Sequence, residues 1–234
     1  MLPVAILAGG LATRLHPITQ TIPKALVDVA GVPFICRQLE YLRLQGIKRV
    51  VLCIGYLGEM IQDIVGDGSN FGLDVAYSPD GPKLMGTGGA LKQALPLLGQ
   101  QFFVLYGDSF LPVEFAPIEK AFLDSHRAAL MTVLENGDRW DKSNVLLQKG
   151  ELVEYNKHQP RPEMSYIDYG LAVLSKPVLE KYPAGQAFDL AEVYHALSLK
   201  GQLAGYEVHE RFYEIGSHSG LKETETYFLT KGKA

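Results

Sequence analysis

Residues 7–26, LAGGLATRLHPITQTIPKAL, follow a short apolar run at residues 3–7 (PVAIL) that suits a buried parallel strand. Gly9 and Gly10 let the backbone turn sharply at the strand's end and approach a ligand with no Cβ in the way. Consecutive N–H groups in such a turn form a concave nest for an anion. Arg14 adds a planar fork matched to phosphate oxygens, and Lys24 adds a second, compact positive charge. Pro17 and Pro23 make the remainder an ordered loop rather than a helix.

A length of 234 residues allows one large α/β domain with a sizeable core. Hydrophobic residues at 47% and charged residues at 21% fit a soluble globular protein. The net charge of -4 argues against a general nucleic-acid binder, which needs a basic field. Cys36 and Cys53 lie in apolar contexts without C-x-x-C spacing and read as buried, reduced thiols. The N-terminus lacks a basic n-region and cleavage site, and no apolar run approaches membrane-spanning length, so a cytoplasmic location is expected.

Downstream, Pro33 and Phe34 open a helix with Ile35, Leu39 and Leu42 on one face and Gly46 as its C-cap. Residues 49–54 (RVVLCI) follow as a strand, completing a right-handed βαβ unit. Tyr56 then sits at the rim of the first glycine loop, as a packing residue or a pocket wall. A short helix at 60–65 and a third strand at 73–77 lead into SPDGPKLMGTGGAL at 78–91. There Gly86, Gly88 and Gly89 form a flexible segment ahead of a helix carrying Leu91, Ala94, Leu95 and Leu98. Residues 102–106 (FFVLY) are the central strand and run into Gly107-Asp108. Ligands of open α/β sheets bind outside the carboxyl ends of strands, so a carboxylate there is placed to hold Mg²⁺.

A helix at 116–125 and a strand at 128–134 precede a polar loop at 135–142, whose Trp140 is a lid or a packing anchor. Residues 144–147 and 152–155 pair as a hairpin about Lys149-Gly150. The strand YIDYGLAVL at 166–174 is broken by Gly170, a mark of close ligand approach. A helix at 188–199 with Asp189 as N-cap, strands at 203–207 and 212–215, and a helix at 217–228 complete the pattern, leaving a polar tail.

LAGGxxTRL, with PKAL placing Lys24 ten residues after Arg14, resembles the signature of the sugar-phosphate nucleotidyltransferases, most of all the heptose 1-phosphate and mannose-1-phosphate guanylyltransferases. The likeness extends from Ala5 to about Tyr227, with Ala12 standing where the family usually has Gly. It implies an enzyme of nucleotide-sugar biosynthesis that joins a nucleoside triphosphate to a sugar 1-phosphate and releases pyrophosphate. It assigns Arg14 and Lys24 to catalysis, and nucleotide binding to Leu7, Ala8, Gly9, Gly10, Ala12, Thr13, Gly86, Thr87 and Gly88. EYNK, similar to the family's Glu-x-Lys-Pro, places Glu154 and Lys157 at the sugar phosphate. Asp168 and Gly170, matching an Asn-x-Gly element, join them there with Asp108. Asp108 is also a Mg²⁺ ligand by this likeness, as is Glu214 of YEIGS, where the family has Asp-x-Gly-Thr.

The fold so implied is a single three-layer α/β/α domain over 1–234, Rossmann-like, with a mostly parallel mixed sheet. No hexapeptide-type repeat is present, so a C-terminal β-helix acyltransferase domain is not expected. GTP and heptose 1-phosphate are the favoured substrates. Uridylyl or cytidylyl transfer to another sugar 1-phosphate, or a non-catalytic nucleotide-sugar sensor, are the alternatives. Neither nucleic acid nor membrane is an expected partner, and a homo-oligomer is left open. A dinucleotide-dependent oxidoreductase would need G-x-G-x-x-G where this chain has GGLATR, and a P-loop kinase would need G-K-S/T.

Overall fold

The computed structural model describes residues 1–231. The last residues of the expected polar tail, 232–234, lie outside the described residues. In the first part strands and helices alternate: β1 (Val4–Ala8), the small hairpin β2 (Asp28–Val29) and β3 (Val32–Pro33), α1 (Phe34–Leu44), β4 (Arg49–Ile54), α2 (Gly58–Val65), β5 (Asp74–Pro79), α3 (Gly86–Ala94), β6 (Gln101–Tyr106), β7 (Ser109–Phe110) and α4 (Phe115–Ser125). Then come β8 (Ala129–Glu135), β9 (Val145–Gln148), β10 (Glu151–Tyr155), β11 (Tyr166–Ser175), α5 (Pro177–Glu180), α6 (Leu190–Ser198), β12 (Leu203–Val208), β13 (Tyr213–Glu214) and α7 (His218–Lys231).

Among the described residues the main sheet has nine strands, ordered β10-β9-β11-β6-β1-β4-β5, with β8 joining β11 to β12. β1 lies between β4 and β6 and is parallel to both, Val4 pairing with Val50 on one side and Phe103 on the other. β11 reverses direction against β6, so the sheet is parallel at its centre and mixed beyond. The period of two along β1 sends Val4 and Ile6 to one face and Ala5 to the other. The first face packs on Ile35 and Leu39 of α1, Ile61 of α2 and Phe115 and Phe122 of α4. Leu91 of α3, Leu179 of α5 and Val193 and Leu197 of α6 cover the second. These are the three layers, and each fully buried Leu, Ile or Phe contributes roughly 1.5–3 kcal/mol.

The long loop between β1 and β2 is ordered by three short 3-10 turns, Thr13–Leu15, Ile18–Gln20 and Lys24–Leu26. A separate apolar cluster of Leu15, Val27, Phe34, Phe110 and Ile215, packed with Tyr227 and Phe228 of α7, pins it. Tyr56 neither packs in the core nor lines a cleft: it is half-exposed, and its hydroxyl donates to Gln20 O (3.1 Å), clasping the same loop. Lys149 and Gly150 both have positive φ (52° and 80°), the geometry of a tight hairpin turn between β9 and β10.

One expectation is corrected. Gly86, Gly88 and Gly89 are not a flexible lead into a helix but the first turn of α3 itself. The glycines are there for close approach: a methyl group on Gly88 would lie 2.2 Å from Cε2 of Phe188. The pairing of β7 with β13 went unread in the sequence because each strand has only two residues.

Candidate active site

Two clefts open at the carboxyl ends of β1 and β6. The smaller, about 250 Å³, is walled by Leu7, Ala8, Gly9, Gly10, Lys24, Asp80, Leu84, Gly86 and Thr87. The larger, about 630 Å³, takes in Arg14, Lys157, Asp168, Gly170 and Glu214, with Arg139, Trp140 and Arg211 at its rim. Thr87, Tyr106 and Asp108 line both, so the clefts meet at the end of β6.

Asp108 leaves β6 just after Gly107, whose N–H donates to Leu7 O (2.9 Å) and ties the two strand ends together. Lys24 reaches across from its 3-10 turn and donates to Asp108 Oδ2 at 2.7 Å, in a pair with side-chain exposures of 17% and 30%. The Ser109 hydroxyl donates to the other oxygen at 3.2 Å. β7 pairs Ser109 with Glu214 of β13, and Ile215 N–H donates to Asp108 O (2.9 Å), which brings the second acidic residue beside the first. Glu214 uses its extra methylene to fold back on its own loop, accepting from Ser217 Oγ (2.6 Å) and Gly216 N–H. Only glycine fits at position 220, where a Cβ would fall 1.9 Å from Glu214 Oε1. A Cβ placed on Gly216 would be 2.6 Å from Glu214 Oε2, 3.4 Å from Arg14 Nη2 and 3.5 Å from Lys24 Nζ, so these three side chains converge on one point.

On the far wall of the larger cleft, β11 bulges between Asp168 and Ala172, with Gly170 at φ 101°. Gly170 N–H donates to Asp168 Oδ1 (2.9 Å). Burial pushes the Asp168 carboxyl up to about 6, against the opposing pull of that N–H and of Lys157. Lys157 pairs with Asp189 at 3.4 Å. Burial works against the Asp189 carboxylate, but the Ala191 N–H, the Thr87 hydroxyl and Lys157 outweigh it and hold its carboxyl below the usual value. Asp189 thus caps α6 while holding Thr87 and Lys157 at the junction of the clefts.

Several residues singled out in the sequence stand outside both clefts. The Glu154 carboxylate is engaged by Arg161 (2.5 Å) and the Asn156 amide (3.3 Å). Ala12 and Thr13 begin the first 3-10 turn, with Ala12 at φ 51°, a left-handed conformation that a glycine would adopt without strain. Gly88 gives its N–H to Phe188 O (3.0 Å). Gly86 and Thr87 are therefore the members of that segment that face the smaller cleft.

The sequence reading missed Asp80, Tyr106, Arg139 and Arg211. Asp80-Gly81 reads as turn chemistry, and nothing local says that the turn folds over a cleft. Arg211 lies over Trp140 (5.7 Å) and Tyr213 (5.2 Å) and pairs with Glu223, and Trp140 packs edge-on against Phe212. Trp140 is accordingly both a packing anchor and part of the cleft rim.

As metal ligands, Asp108 and Glu214, brought to neighbouring strand ends by the β7–β13 pairing and the Ile215 N–H to Asp108 O bond, offer carboxylate oxygens that suit an ion such as Mg²⁺, which completes its shell from substrate phosphates. Among the described residues no group of three or more His, Cys, Asp or Glu forms a closed metal cage. No helix among them is long and apolar enough to cross a membrane.

The nucleotidyl transferase family profile matches residues 4–143. An N-acetylmuramate alpha-1-phosphate uridylyltransferase of Neisseria meningitidis serogroup B is 32% identical over 227 residues, 94% of this chain and 95% of that protein. A D-glycero-alpha-D-manno-heptose 1-phosphate guanylyltransferase of Campylobacter jejuni is 30% identical over 187 residues, 80% of this chain and 82% of that one. In three dimensions the chain is similar to HddC from Yersinia pseudotuberculosis, solved in complex with GMP-PN. That match has a TM-score of 0.80 at 26% identity, over 97% of this chain and 100% of that one.

Proposed function

The chain belongs to the nucleotidyl transferase family, and on that premise we propose that it transfers a nucleotidyl group, by preference guanylyl, from the triphosphate to a heptose-like sugar 1-phosphate. The observation that carries this reading is the meeting of two clefts at Thr87, Tyr106 and Asp108. A nucleotide in the smaller cleft and a sugar phosphate in the larger would have their phosphates at that junction.

The chemistry follows from charge. A sugar 1-phosphate has a second pKa of about 6, so its attacking oxygen is already an anion near neutrality and needs no general base. The obstacle is repulsion between that anion and the α-phosphate. Lys24 leaves Asp108 for a phosphate oxygen, Lys157 steadies the sugar phosphate, and Arg14 takes the departing pyrophosphate. Asp108 and Glu214 would hold Mg²⁺, which supplies charge to offset the repulsion between the phosphates. What remains for the protein is positioning of an in-line displacement. The Asp168 carboxylate accepts from the sugar hydroxyls.

The Campylobacter relative and the Yersinia complex support guanylyl transfer. Uridylyl transfer is the second reading, favoured by the Neisseria relative's near-complete coverage. A matrix of four nucleoside triphosphates against heptose, mannose, glucose and N-acetylmuramate 1-phosphates, read by pyrophosphate release, separates them. Turnover with GTP and heptose 1-phosphate above all other pairs is expected. A UTP maximum replaces the first reading with the second, and silence across the matrix removes both.

A further inference from the structure

We propose that Gln38 of α1 is a positioning residue for the reaction, its side-chain amide fixing the turn that presents Asp108 to the metal and the phosphates. The inference deepens the transferase reading above and rests on Asp108 and Glu214 being the carboxylates that hold Mg²⁺.

Gln38 is out of pattern for its place in the helix. Ile35, Leu39 and Leu42 form the buried stripe of α1, and position 38 falls on the same face. An apolar residue is the ordinary occupant of such a position, yet the amide there is buried, at 2% exposure. Its nitrogen, Nε2, donates to Tyr106 O at 2.9 Å and to Ser109 O at 2.8 Å. These carbonyls lie on either side of Gly107-Asp108, the turn between β6 and β7. Both facing groups are acceptors, so the amide's orientation is decided, nitrogen toward the turn. Oε1 then meets no hydrogen-bond partner among the described residues. An amide buried with its own oxygen unsatisfied marks the two N–H donors as the reason it is there.

Two backbone bonds act on the same turn. Gly107 N–H reaches Leu7 O and Ile215 N–H reaches Asp108 O, each at 2.9 Å, which tie it to the ends of β1 and β13. Gln38 adds a bridge between the turn's two sides. Ser109, on the far side, is the residue registered against Glu214 of β13. One side chain of the helix layer thus bears on the spacing of both acidic residues. Mg²⁺ tolerates little error in that spacing, since it demands a near-octahedral shell at about 2.0–2.1 Å. Partners that orient a metal ligand from behind typically matter by ~10–100-fold in metal affinity or activity.

Gln38→Met and Gln38→Glu test the assignment. Methionine keeps the length of the side chain and removes both donors. Glutamate keeps the shape as well, but its carboxylate meets the two carbonyls as a third acceptor. In each variant kcat should fall ~10–100-fold and Mn²⁺, titrated without substrates, should bind ~10-fold more weakly, while KM for the sugar phosphate stays within ~2-fold. In an Asp108→Asn background the change at position 38 should cost no further kcat, because the carboxylate it positions is gone. Hydrogen exchange at the Gly107 and Ile215 amides should quicken in both variants, which reads the turn without metal or turnover. Wild-type exchange covers the case in which neither variant folds: the two amides should exchange as slowly as those of β1, and exchange at the rate of an exposed loop overturns the proposal. Full Mn²⁺ affinity with normal kcat in either variant, or losses that add to those of Asp108→Asn, overturns it as well. Full Mn²⁺ affinity in Asp108→Asn instead removes the metal reading on which the proposal rests.

Discussion

Replacing Asp168 by Asn should stabilise the protein at neutral and alkaline pH and leave it unchanged in acid. Asparagine keeps the Oδ1 that accepts Gly170 N–H but cannot ionise. In the folded protein the Asp168 carboxyl rises from 3.8 to about 6, chiefly through burial. Two units correspond to at most ~3 kcal/mol, and because the cleft is open to water about half of that, ~1.5 kcal/mol, is the reasonable expectation. The folded state binds this proton more tightly than the unfolded chain, so stability falls as pH rises from about 4 through about 6. Above that window the wild type carries the full penalty, and Asp168→Asn is free of it. At 2–4 °C per kcal/mol for a chain of this size, the variant should melt ~3–6 °C higher at pH 7.5 and coincide with wild type at pH 4. Thermal denaturation followed by circular dichroism from pH 4 to 8 decides the matter. An offset that is the same at every pH, or a lower melting temperature at pH 7.5, would refute the reasoning.

Three further substitutions probe the site and its supports. Arg14→Ala should lower kcat/KM by at least ~2 kcal/mol, some 30-fold, because a charge-assisted phosphate contact is lost, while the melting temperature hardly moves. Equal loss of stability and activity would make Arg14 a structural residue. Lys24→Met removes the 2.7 Å ion pair on Asp108, so Mn²⁺ titrated without nucleotide should bind more tightly even as turnover collapses. Unchanged Mn²⁺ affinity would mean that lysine and metal do not compete for that carboxylate. Gly88→Ala sets a methyl group 2.2 Å from the Phe188 ring, which is itself stacked on Tyr182 at 4.7 Å, and should cost ~2–3 kcal/mol measured by urea denaturation.

The centre of the fold is legible because period and punctuation agree there. VAIL and RVVLCI are continuous apolar runs, as strands covered on both faces must be, and Gly46 stops α1 with φ 81° where a C-cap is needed. Asp189 could be read as an N-cap because the signal is local, and its side chain does accept Ala191 N–H. Residues whose placement depends on distant partners were not readable. The glycines of α3 resemble a loop until Phe188, a hundred residues away, is laid against them. Lys157 could be singled out only through a family likeness, and its neighbour Glu154 turns instead to Arg161. Asp80 hid inside a turn motif, since burial over a cleft leaves no trace in local sequence.

A single displacement between the two adjoining clefts is recorded in the stereochemistry at the transferred phosphorus. With a chiral α-thio nucleoside triphosphate and a sugar 1-phosphate, direct in-line attack inverts the configuration at the α-phosphorus, and inversion is the result predicted. Retention would require two displacements through a nucleotidyl-enzyme intermediate, and would rule out direct transfer between the clefts.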